Sequence, residues 1–145
     1  MKKVCFILSA VILFSIMTGC QEQNLDSNNI IGCWTNPAYA DNSEGVTIVF
    51  YKKSKTLSDK SEGIKFFEGG TLIERKNIGW CGTPPIQYDN FSGKWYWQDR
   101  KKTCIEIDVA YWGGMEHKVW KIIKVTKSTL EIEILSWKSE PEIEN

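Results

Sequence analysis

The chain has one histidine, His117, and no CxxC pair. Zinc needs several Cys or His ligands at close spacing, so a zinc site is not expected. No serine or cysteine lies in a nucleophile elbow such as GxSxG, and His117 has no triad to join. Phosphate loops and dinucleotide fingerprints are missing too, so no cofactor is expected and the chain reads as a non-enzyme. Basic and acidic residues are equal in number, 18 each. That balance gives no basic patch for nucleic acid. Helical periodicity never lasts beyond two turns, and there is no tandem repeat. Only one long apolar run occurs, and it lies at the start.

That run is Val4 to Met17, broken only by Ser9 and Ser15 and preceded by Lys2 and Lys3. It is short for a membrane span, which takes about 20 residues, but suits the apolar core of an export signal. Thr18 and Gly19 are small, and Cys20 follows. Met17-Thr18-Gly19-Cys20 resembles the lipobox of bacterial lipoproteins, with Met where that family usually has Leu. The resemblance implies a signal peptide over 1–19, with lipidation of Cys20 and cleavage before it. Several acyl chains (palmitate-like), each methylene contributing about 0.8 kcal/mol, make a durable membrane anchor. Gln21, not Asp, follows the cysteine. By the same resemblance the protein belongs to the cell envelope, at the outer rather than the inner membrane.

Residues 20–29, the lipidated cysteine and then QEQNLDSNN, read as a flexible polar tether. A single domain is expected over 30–138, and Ser139 to Asn145 read as an acidic tail. Within the domain, period two dominates. Phe91, Gly93, Trp95 and Trp97 share one face. So do Ile105, Ile107 and Val109, and likewise Leu130, Ile132 and Ile134. Each series is a strand with a buried and a wet face. On the wet faces lie Glu106, Asp108, Glu131 and Glu133. Further strands are expected over Ile30–Thr35, Val46–Lys52, Gly63–Glu68, Thr71–Asn77 and Glu116–Val125, the last with a bulge near Ile122-Ile123. The longest linkers are Asn36–Gly45, Lys53–Glu62 and Ile78–Asn90. The fold class is therefore all-β: an up-and-down antiparallel meander of about eight strands that removes its edges by closing into a barrel. A sandwich is the alternative.

Gly32-Cys33-Trp34 opens the first strand, with Gly32 and Trp34 on one face, so an indole sits beside a gap. With the FFEGGTL hairpin from Phe66 to Leu72 and the closing hairpin from Trp120 to Ile134, it resembles the lipocalin-like (calycin) domains of small bacterial lipoproteins. The resemblance implies a small barrel with a cup for a small apolar or amphipathic ligand, lined by Trp34, Trp95, Trp97 and Trp120. The short tail with Pro141 departs from lipocalins, which place a helix there. In such a barrel, strands that alternate in direction put Cys33 and Cys81 at one end and Cys104 at the other. A Cys33–Cys81 disulfide is then expected if the Cα atoms fall within about 7 Å.

The aromatic load is high, with seven tryptophans. Trp80, Tyr88, Tyr96 and Trp112 lie in loops or on the opposite face and are candidates for exposed contacts. Gly79 to Pro85 is a loop stiffened by two glycines and two prolines. The alternative function is thus a protein-binding envelope module, an inhibitor or assembly accessory, using the rim around Trp80–Tyr88.

Overall fold

The computed structural model describes residues 30–79 and 86–141. Eight strands follow one another: β1 (Gly32–Asp41), β2 (Thr47–Ser54), β3 (Gly63–Phe66), β4 (Thr71–Asn77), β5 (Tyr88–Trp97), β6 (Cys104–Tyr111), β7 (Gly114–Val125) and β8 (Thr129–Pro141). All pairings are antiparallel, and the sheet closes into a barrel. This is the architecture that the alternating patterns demand, because closure leaves no edge unpaired.

The order around the barrel departs from a simple meander. It runs β1-β2-β8-β7-β6-β5-β4-β3 and returns to β1. β3 to β8 are a consecutive meander, but β1 stands between β2 and β3, and β2 closes on β8. β2 and β3 therefore point the same way, and residues 55–62 carry the chain from one end of the barrel to the other. That crossover lies over the outer face of β1. Cys33 and Thr35 point outward yet are only 2% and 3% exposed. A Cβ on Gly63 would lie 3.1 Å from Leu57 Cδ2 and 3.2 Å from Thr35 Cγ2, which places Leu57 on this face.

Two boundaries move outward. The segment expected as a linker from Asn36 continues β1 to Asp41. Asn36 takes φ of +53°, and the register shifts between Thr35 and Ala38. This bulge absorbs Pro37, which has no N–H for the ladder. At the other terminus, Ser139 and Glu140 pair with Glu116 and Met115, so β8 extends beyond the expected domain boundary at 138. The bulge expected in β7 is present, with a register shift between Ile122 and Lys124.

One end of the barrel is plugged by its own core. Trp34 is fully buried, and its indole N–H donates to the Ile30 carbonyl at 2.7 Å. The Lys53 ammonium lies 4.0 Å from the centre of that indole and donates to the Ile31 carbonyl at 2.7 Å. Here the gap beside Trp34 has its explanation: Gly32, at φ of +119°, has no Cβ, and one placed there would lie 2.6 Å from Lys53 Nζ. Phe66 meets Trp95 edge-on at 5.6 Å, and Trp95 meets Trp97 at 5.7 Å. The Trp95 indole N–H reaches the Phe67 and Thr71 carbonyls and so holds the β3–β4 turn. Gly93 lies on this inward face because β5 and β6 approach closely; a Cβ there would stand 2.4 Å from the Asp108 carbonyl oxygen.

Candidate functional site

At the opposite end, where β1, β4, β6 and β8 finish, the interior is polar. Strand alternation carries Glu74 and Lys76 inward in phase with the core residue Leu72. On β7, Glu116 and Lys118 point inward in phase with Trp120 and Ile122. The four charges form an alternating ring. Lys118 Nζ lies 2.8 Å from both oxygens of Glu74 and 3.0 Å from Glu116 Oε2. Lys76 Nζ lies 2.5 Å from Glu116 Oε2 and 3.3 Å from Glu74 Oε2. Side-chain exposure at Lys118 is only 6%. Charges so far from water persist because each is paired. For Glu116, burial pushes the carboxyl up, but the hydrogen bond from Lys76 and the charge of Lys118 outweigh it and hold it below the ordinary range. That contribution to stability is complete above the ordinary carboxylate range and is lost as pH falls through the lowered value.

Above the ring is a cup of about 230 Å³. Its walls include Tyr51, Trp120, Tyr111, Trp112, Trp137 and Tyr39, and Glu62 lies among them. Trp120 stands 6.0 Å from the Tyr51 ring. Lys118 Nζ lies 4.8 Å from the centre of the Trp137 ring. At the mouth Trp112 is 76% exposed and Trp137 58%. The cup is below the roughly 300 Å³ at which drug-sized pockets begin. It suits a small molecule or the head of a larger one.

Of the four tryptophans expected to line a cup, the structure brings only Trp120 to it. Trp34 is buried in the plugged half, whereas Trp95, edge-on to Phe66 and to Trp97, lines together with Trp97, Ile31 and Gly70 a separate, more open hollow of about 620 Å³ at that end. Among the rim candidates, Trp112 lines the mouth. Tyr88 begins β5 opposite Asn77 at the same end and is half-buried. Tyr96 is on the outer wall, where its hydroxyl donates to Glu106; that bond raises its phenol to about 12. Trp80, Cys81 and Cys20 lie outside the described residues. Cys33 and Cys104 are free thiols on strands at opposite sides of the barrel. Burial pushes the Cys33 thiol up, against the opposing charges of Lys65 and Lys53. The parity that joined Cys33 to the loop after β4 fails: β2 and β3 run the same way, so β4 ends at the mouth while Cys33 sits at the plugged end.

Glu74, Lys76, Glu116 and Lys118 were missed by sequence reasoning, although a signal existed. Each falls on the same parity as buried apolar neighbours on its strand. Glu106, Asp108, Glu131 and Glu133 do point outward, as expected. Asp108 faces His117 across β6 and β7, with Asp108 Oδ1 2.6 Å from His117 Nδ1, and Glu140 Oε2 lies 3.5 Å from His117 Nε2. The hydrogen bond to Asp108, opposed by slight burial and aided by both carboxylate charges, raises the imidazole above its ordinary 6.5. As the chain has a single histidine, one imidazole Hε1 resonance is expected in a proton NMR titration, with its midpoint above 6.5 and moved down towards that value by Asp108→Asn. The pairing favours the fold in mildly acid solution, and its contribution disappears as pH rises through the raised value.

These features define a class: a small, closed, antiparallel barrel, plugged by aromatics at one end and carrying a charged, aromatic-walled cup at the other. The architecture agrees with the barrel that the lipocalin-like resemblance implies, apart from the placement of β1 between β2 and β3. No protein-family model, characterised protein or solved structure matches the chain.

Proposed function

We propose that this is a non-catalytic, lipid-anchored envelope protein whose barrel binds a small amphipathic ligand at the mouth. The observation that carries the reading is the cup itself, with hydrogen-bonding charges at its floor and indole and phenol rings at its walls. A wholly apolar ligand fits less well, because it would cover the ring of charges without offering them a partner. The anchor rests on the lipobox, with Cys20 as the acylated residue and the membrane as its partner. Exposed Trp112, Ile78 and Ile86 at the same mouth support a second reading, a protein-binding module.

Native mass spectrometry of the chain purified in mild detergent is expected to show one small bound mass that denaturation releases. Trp112→Ala is expected to lower its occupancy severalfold with the fold intact. Retention of the mass at full occupancy by that variant would place the ligand elsewhere. Cys20→Ser is expected to move the protein out of the membrane fraction; continued membrane association would remove the anchor.

A further inference from the structure

We propose that the cup selects a small primary organic ammonium ion with an apolar body. This rests on the ligand-binding reading above and names the ligand class.

The argument begins with the polar groups left over after the ring has formed. Lys118 Nζ donates to Glu74 Oε1 and Oε2 and forms an ion pair with Glu116 Oε2 at 3.0 Å. Lys76 is directed at Glu116 Oε2 and Glu74 Oε2. Two lysines thus neutralise two glutamates. Arg75, also near the mouth, is turned to Asp59 at 3.2 Å and to Asn90 at 2.9 Å. Glu62 also lines the cup and has no ion-pair partner among the described residues. Once the pairs are formed, one carboxylate charge remains.

The second observation is independent of charge. Tyr51 is 6% exposed and lines the cup, and its hydroxyl has no hydrogen-bond partner among the described residues. That hydroxyl is not among the sealed, unpartnered polar atoms of the described residues, so a ligand or water in the cup can meet it. Burial and the neighbouring Glu74 hold the phenol well above its usual value, so it stays neutral and keeps its lone pairs for an N–H donor. Glu116 Oε1 takes none of the ring's bonds. Near the mouth Arg75 Nε is a buried donor without a partner among the described residues; the spare acceptors of the cup are a Glu62 carboxylate, one Glu116 oxygen and the Tyr51 oxygen. A ligand rich in N–H donors and carrying a positive charge complements them. A carboxylate or phosphate would meet like charge.

The walls agree. Indole and phenol faces carry negative potential and attract ammonium groups within about 6 Å. The protein already uses this contact at the cup, where Lys118 lies 4.8 Å from the Trp137 ring centre. The exposed faces of Trp112 and Trp137 would take the apolar body of the ligand, with the ammonium directed inward towards Glu62 and Tyr51.

The test uses three probes of one size and different charge: benzylammonium, benzyl alcohol and benzoate. Each is titrated into the full chain in neutral detergent and followed by calorimetry and tryptophan fluorescence. Benzylammonium is expected to bind at least tenfold more tightly than benzyl alcohol, and benzoate is expected not to bind. Glu62→Gln is expected to weaken benzylammonium about tenfold, within the range of a part-desolvated cation contact, while leaving benzyl alcohol unchanged. The substitution leaves in place the Glu62 carbonyl that accepts from the Asn36 N–H. Equal binding of the alcohol, or tighter binding of benzoate, overturns the preference for cations and leaves the cup as a binding site. Binding of none of the three overturns the ligand-binding reading and this inference with it.

Discussion

Lys118→Ala is expected to cost about 3–5 kcal/mol of stability, the usual result of removing one partner from a buried ion pair. Lys118 is the most buried member of the ring and makes three of its contacts. Without it, Glu74 loses both of its short bonds, and Lys76 alone faces two inward carboxylates. Urea denaturation should show a lower midpoint with little change in slope, because the barrel still closes. The double variant Glu74→Leu with Lys118→Met tests the cause. Replacing a buried pair by apolar groups of similar volume is often neutral or stabilising, so the double variant should regain most of the loss. It should also bind polar ligands poorly, since Glu116 and Lys76 alone would remain at the floor. If the double variant is as unstable as the single one, the ring's value lies in packing, not in pairing.

Trp34→Ala is expected to be as damaging, at about 3–5 kcal/mol, the range for truncating a buried Trp. Three consequences coincide. The core loses a fully buried indole, the Ile30 carbonyl loses its donor, and the Lys53 ammonium loses the ring beneath it. Trp34→Phe separates them. It retains a ring under Lys53 and much of the volume but not the N–H, so about 1–3 kcal/mol of loss is expected from the orphaned carbonyl. Thermal unfolding of both variants checks the order. Equal loss in both would make the hydrogen bond to Ile30 the dominant contribution. Ligand binding at the mouth should survive Trp34→Phe, as Trp34 is at the plugged end.

Legibility in the sequence follows the range of each interaction. The strands were readable because alternation is local: Ile105, Ile107 and Val109 are all fully buried, in phase, as their spacing requires. Thr71–Asn77 coincides with β4, and the slip at Ile122-Ile123 is a bulge. The inward charges were readable too, since Glu74, Lys76, Glu116 and Lys118 share the parity of apolar neighbours. They were passed over because a charged residue in a strand normally marks the wet face. The kink at Asn36-Pro37 was misjudged because the dipeptide that ends a strand elsewhere here forms a bulge within one.

The sequence by itself determined the period of the clearest strands, their approximate number, the all-β class and the aromatic character of the core. Each depends on neighbours two residues apart. Only the tertiary structure decided which strand lies beside which. Residues 53–62 are long enough for either a loose hairpin or a crossover, and length cannot choose between them. The crossover is the outcome: Thr35 is buried beside Leu57 of that segment, and β2 pairs with β8. The same global closure gathered Glu74 with Lys118, 44 residues apart in the chain, and Lys76 with Glu116, 40 apart. Long-range pairing of this kind is encoded in no short window of sequence, which is why the charged cup appears only when the barrel is closed.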